Sequence, residues 1–199
     1  MATRPKDIDP DSGFRLPLPK REDLDEDGKK LYDEIVNPKA GTIRGLRGPA
    51  GIRLYSPYNS KISQPINRYL RFEAGLGARL REVAILATAR ECDSQFEWAA
   101  HEPEALKEGV PPSIVDIIKH RRATDALAEE DRIVINLARE TFRARKVTSQ
   151  TFASALTLFG PKKLVDIICL MGNYAATAAL LTAFDMQLDP GQEPLLPVP

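Results

Sequence analysis

Apolar residues recur at three- and four-residue intervals along most of the chain, the spacing that stacks side chains on one face of an α-helix. Leu24, Leu31 and Ile35 mark a helix over 23–36. Ile62, Ile66, Tyr69 and Leu70 mark another, with Pro65 expected near its start, where a proline ring is tolerated. Between them, residues 37–58 are rich in glycine and proline and read as a loop with one turn of helix. Leu80, Val83, Ala84 and Ala87 place a helix over 78–91. A further helix runs from Ser94 to Glu108, and Pro111-Pro112-Ser113 opens a short one through Lys119. Leu127, Ile133, Val134, Leu137, Ala138 and Thr141 form an amphipathic stripe. Thr148 is placed to cap the next helix, which stops at Gly160-Pro161; Pro161 then starts the last and longest, through about Met186. No run of alternating β-branched residues competes. The pattern predicts an all-α chain of seven or eight helices.

Prolines crowd both ends: Pro5, Pro10, Pro17 and Pro19 at one, Pro190, Pro194, Pro197 and Pro199 at the other. Residues 1–20 and 189–199 are therefore expected to be extended arms flanking one helical domain, 21–188. Such arms either wrap a neighbouring subunit or hang loose. Leu164 to Phe184 is apolar around most of its circumference, yet it holds Asp166, Gly172 and Asn173. A carboxylate inside a bilayer is costly, so a buried core or interface helix is expected there and not a membrane span. Ala175, Ala176, Ala178 and Ala179 would let a partner helix approach closely, which points to a homo-oligomer. The N-terminal residues include no apolar stretch of the signal-peptide kind, and a cytoplasmic protein is expected.

Charge removes one class of function. Twenty-eight basic and twenty-eight acidic residues cancel, and the pI is near 6.8. No nucleic-acid partner is expected from that balance, and near-zero charge favours self-association. Cys92 and Cys169 match neither a disulfide framework nor a zinc pattern and read as small buried hydrophobes.

Candidate chemistry concentrates where titratable residues interrupt apolar helix. Glu82 shares a flank with Ile85 and Leu86, which suggests partial burial. Glu97 and His101 are four apart and share one helix face. A carboxylate beside imidazole orients the ring and suits general acid–base work. The alternative is structural: Ser94-Gln95-Phe96-Glu97 fits a capping box, with Ser94 as N-cap and Glu97 reaching back. No metal is expected, because only two histidines exist and His120 sits in a basic Lys-His-Arg-Arg run. Between Ile35 and Phe72 lie Lys39, Arg44, Arg47, Arg53, Lys61, Arg68 and Arg71 with no acidic residue. Arg47, in a glycine-rich loop, could clamp a substrate carboxylate; the alternative is a solvated basic face or pairing with the acidic run Glu22 to Asp27. Tyr55, Tyr58 and Tyr174 either line a pocket or pack, and Trp98 reads as core.

The segment from Leu80 to His101 resembles the carboxymuconolactone decarboxylase / alkylhydroperoxidase D-like family. The redox branch of that family carries Glu-x11-Cys-x2-Cys-x3-His, and here the same spacing holds Glu82, Ser94, Glu97 and His101. The glutamate and the histidine are kept, while both redox cysteines are replaced. Ser94-Gln-Phe-Glu-Trp-Ala-Ala-His101 is similar to the Glu-Trp-x-x-His form of non-redox members. Tyr69-Leu-Arg-Phe, Leu164-Val-Asp and Gly172-Asn-Tyr174 extend the resemblance, which covers residues 20 to 188 or so. It implies an all-α bundle assembled as dimers, trimers or hexamers. It also implies a cofactor-independent lyase or isomerase that acts on a small carboxylated or cyclic molecule. Glu82, Glu97 and His101 would be catalytic; Arg47, Ser94 and Tyr174 would bind substrate. Two alternatives stand beside it: a peroxiredoxin-like oxidoreductase that has lost its cysteine pair, and a non-catalytic small-ligand-binding protein on the same scaffold. Serine cannot attack a peroxide and glutamate cannot resolve a sulfenic acid, so thiol peroxidase chemistry is not expected.

Overall fold

The structure, a computed structural model, describes residues 5–39 and 43–197. Among them are eight helices and no strand, as the hydrophobic spacing predicts. They are α1 (Glu26–Val36), α2 (Pro49–Arg53), α3 (Pro57–Arg68), α4 (Ala78–Glu91), α5 (Gln95–Lys107), α6 (Pro112–Lys119), α7 (Glu129–Ala138) and α8 (Ser149–Ala183). A π-turn follows α3 at Tyr69–Glu73, and a second follows α7 at Arg139–Arg143. The chain forms two compact units. One comprises residues up to Ile66 together with Ala179–Glu193; the other comprises Asn67–Ala178 and the residues from Pro194 onward.

Local chemistry accounts for most boundaries. The Asp25 carboxylate caps α1 by accepting the Gly28 N–H at 2.7 Å, and Thr148 Oγ1 accepts the Thr151 N–H at 3.2 Å to open α8. The expected stop at Gly160-Pro161 is a break inside α8: Gly160 takes φ 70° and ψ 168°, and helix resumes beyond it. The loop before α3 contains one turn of helix, α2, as expected.

α3 differs from expectation. Pro57 fills the initiating role assigned to Pro65, and Pro65 lies in the helix interior, where it has no N–H to give and its ring crowds the Lys61 carbonyl. The stripe that predicted the helix is only partly a core stripe. Leu70 is buried, whereas Ile62, Ile66 and Tyr69 are exposed, as are Tyr58 and Phe72. Hydrophobic spacing reports a helix face without saying what covers it.

The unit that includes residues 67–178 is built around α4. Every residue from Glu82 to Arg90 is buried, and α5, α6 and α7 pack against this helix. Ala84, Ala87 and Ala89 keep it slim enough for neighbours on several sides. Trp98 joins this core fully buried, as do Leu164, Ile167, Leu170 and Met171 of α8. Residues 194–197 of the C-terminal tail belong to the same unit. Gln95 clamps its backbone, accepting from Leu195 and Leu196 N–H at 3.1 and 3.0 Å and donating to the Leu196 carbonyl at 2.6 Å. The other unit gathers Leu31, Ile35 and Leu54. Its N-terminal segment is non-helical but packed: Phe14 is fully buried, Arg15 N–H donates to the Phe184 carbonyl at 3.0 Å, and Gln187 N–H donates to Gly13 at 2.9 Å.

α8 is long and apolar enough to cross a membrane, but half of its most apolar stretch is buried within the protein. Its outward face carries Val165, Cys169, Gly172, Ala176 and Ala179. Cys169 is thus exposed, not the buried hydrophobe expected, because it points away from the face that carries Leu170 and Ile167.

Gly160→Ala is expected to destabilise the fold by about 1–3 kcal/mol, since this backbone conformation is nearly exclusive to glycine. Beyond its own turn of helix no atom lies within 4 Å of where the methyl would sit, so the loss is backbone strain alone. A melting temperature equal to the wild type by calorimetry would contradict the break.

Candidate functional site

α4 and α5 form a helical hairpin that turns at Cys92–Ser94, where Asp93 adopts φ 49°. Antiparallel packing of the two helices brings Glu82 and His101 together across the hairpin. His101 Nδ1 is 2.8 Å from Glu82 Oε2, and both side chains are almost wholly excluded from solvent. On the other edge of the imidazole, Nε2 is 3.7 Å from Glu97 Oε2, beyond hydrogen-bond distance. The Tyr174 ring meets His101 edge-on, with centroids 5.2 Å apart and planes at 84°.

Burial pushes the Glu82 carboxyl up, but His101 and Arg81 together outweigh it and hold Glu82 below the ordinary value of 4.5. Arg81 does so through Nε, 3.1 Å from Glu82 Oε1. An ionised carboxylate only accepts hydrogen bonds, so Nδ1 is the donor to Glu82. Nε2 is then the nitrogen that faces Glu97, at 3.7 Å. Burial likewise pushes the Tyr174 phenol up, and it stays neutral. Glu82 is therefore a fixed anion beside the imidazole, and Tyr174 a neutral hydroxyl.

The structure brings Glu82, Glu97, His101 and Tyr174 together. Ser94 is buried at the N-cap position of α5, but its hydroxyl makes no capping bond, so the capping box does not form. The reason is that Glu97 is turned into the core beside His101 and away from the helix end. Arg47 belongs to the other unit, where its Nε is 3.9 Å from Asp189 and Arg44 pairs with the same carboxylate. Part of its loop, Gly41-Thr42, lies outside the described residues. The pairing alternative holds for Lys61, which donates to Asp27 at 2.9 Å. A cleft of about 380 Å³, lined by Ile35, Val36, Pro38, Leu46 and Arg47 among others, shares only Arg47 with the expected site. Tyr55 and Tyr58 are exposed. Trp98 is core, its Nε1 donating to Glu102 at 2.7 Å. His120 is partly exposed and lies 3.4 Å from Asp116.

Arg81 is the site residue that spacing does not reveal. Adjacent residues on a helix point in different directions, and only a long side chain folded back along α4 reaches Glu82. Its Nη1 also donates to the Arg71 carbonyl at 3.0 Å. The Cys92 thiol is pushed up by burial and by Glu91 and Asp93, the reverse of an activated nucleophile. No family model matches the chain, and no curated protein matches it.

Glu82 binds its proton less tightly folded than unfolded. Its contribution to stability is therefore present above about pH 4.5 and is lost as the pH falls through the lowered folded value. Glu82→Gln is expected to cost about 1.5–3 kcal/mol at neutral pH and to flatten the acid limb of a stability–pH curve. Urea titrations of both proteins across this range measure it; parallel acid limbs would disprove the pairing.

Proposed function

We propose that the protein is a general acid–base enzyme of the carboxymuconolactone decarboxylase-like kind, a lyase or isomerase working on a small carboxylated or cyclic molecule. The observation that carries this reading is the buried imidazole between two carboxylates, one ionised and bonded to Nδ1, the other standing off from Nε2. A surface Glu–His pair needs no burial; this trio is buried at the centre of a folding unit. The family resemblance supports the same assignment, with Ser94 and Tyr174 as substrate contacts.

Decarboxylation illustrates the chemistry. The bond to the substrate carboxylate breaks, CO2 leaves, and its electron pair remains as a dienolate. Protonated His101 delivers a proton from Nε2 to carbon, and a solvent proton restores the imidazolium. Glu82 holds the ring and balances its charge throughout. Such a positioned acid is worth about 10²–10⁴ in rate. Proton transfer needs no electron carrier, so these side chains suffice. The same relay serves isomerisation by removing a proton at one carbon and returning it at another.

The reading includes a cytoplasmic homo-oligomer. Its support is the exposed apolar side chains Tyr58, Ile62 and Ile66 along α3, and the outward face of α8. Exposed apolar surface of this kind marks an interaction site. Sedimentation at micromolar concentration is expected to show a dimer, trimer or hexamer; a stable 22.1 kDa species would disprove assembly.

The activity test is a panel of unsaturated lactone acids, followed for CO2 release and for deuterium uptake from solvent. Turnover is expected to fall about 10²–10⁴-fold in His101→Asn and to survive in a Cys92→Ala, Cys169→Ala double variant. Undiminished turnover in His101→Asn would rule out the relay. Peroxide consumption that vanishes with Cys92 would establish the oxidoreductase in its place.

A further inference from the structure

Arg71 Nε is a buried donor with no hydrogen-bond partner. Leaving a charged donor unsatisfied costs more than a neutral one, and native proteins rarely tolerate it without a use. The carboxylates around it are engaged elsewhere. Glu73 pairs with Arg68 at 3.2 Å, and Glu82 is held by His101 and Arg81. Arg71's guanidinium lies over the face of Phe72, 4.9 Å from the ring centre.

Two independent ties set Arg71 beside the buried trio. Its carbonyl accepts from Arg81 Nη1 at 3.0 Å, and the same guanidinium holds Glu82. On the far side, Asn67 Oδ1 accepts from Asn173 Nδ2 at 3.0 Å, and Tyr69 Oη donates to Asp166 at 3.1 Å. These bonds lay the π-turn along the part of α8 that carries Tyr174, whose ring touches His101. π-turns recur at functional sites because they break the helix ladder and re-aim side chains.

We propose that Arg71 is the anion-recognition residue of this site and seats one carboxylate of a small substrate, with the Tyr174 hydroxyl as a neighbouring neutral donor. The proposal rests on the acid–base reading of the trio and names its substrate as a monocarboxylate. A guanidinium offers Nε–H and Nη–H as a fork matched to two carboxylate oxygens. Arg81 is already committed to Glu82, so Arg71 alone remains to balance a bound anion; one positive charge beside the Glu97 carboxylate favours a singly charged carboxylate over a phosphate dianion.

Benzoate is the probe, benzamide its neutral isostere and inorganic phosphate the competing anion, each titrated into the full chain by calorimetry. Saturable benzoate binding is expected, with benzamide and phosphate weaker. Arg71→Gln should weaken benzoate about 10- to 100-fold, the worth of a charge-assisted pair, and Arg71→Lys should recover part of it. His101→Asn should still bind benzoate, so turnover that survives His101→Asn would sink the acid–base reading while leaving this subsite standing. The proposal is overturned if the wild type does not bind benzoate saturably, or binds benzamide or phosphate as well. Binding that is unchanged in Arg71→Gln, or that depends on His101 and not on Arg71, overturns it too.

Discussion

A carboxylate at the centre of the most buried helix constrains everything around it. Glu82 sits on α4 with buried residues from Val83 through Arg90 following it, in surroundings where an isolated charge would cost several kcal/mol. It is kept ionised by a 2.8 Å contact to His101 and a 3.1 Å contact to Arg81. The His101 bond fixes the register of the α4–α5 hairpin, because sliding α5 by one residue would swing His101 off the shared face. The other bond places Arg81 so that it reaches the Arg71 carbonyl and ties the π-turn to the hairpin.

The two carboxylates of the trio are chemically unequal. Glu82 is bonded at both oxygens to cationic or proton-bearing groups, whereas Glu97 approaches the imidazole at 3.7 Å. One is bonded to the imidazole at Nδ1 and the other faces Nε2 without a bond to it. Tyr174 closes a third side with an aromatic edge and a neutral hydroxyl.

The apolar surface follows from the same economy. A helix as slim as α4 can be surrounded, and the buried faces of α5, α7 and α8 are used in doing so. The outer face of α8 and the stripe along α3 are left over and stay apolar, where a helix facing only water would be polar.

The sequence by itself determined the helices. Spacing marked each of them, Asp25, Thr148 and the Gly160-Pro161 pair marked ends or a break, and the Glu82, Glu97, His101 spacing marked the site. These signals are local: periodicity, caps and backbone-restricted residues act within a few positions. Tertiary structure decided what each face meets. It put the α3 stripe on the surface, left Ser94 without a capping bond and turned Glu97 inward. It also set Arg47 beside Asp189 and brought Arg81 onto Glu82 and the Arg71 carbonyl. Each outcome depends on which helix packs where and how far a flexible guanidinium reaches, and no spacing along one chain segment encodes that.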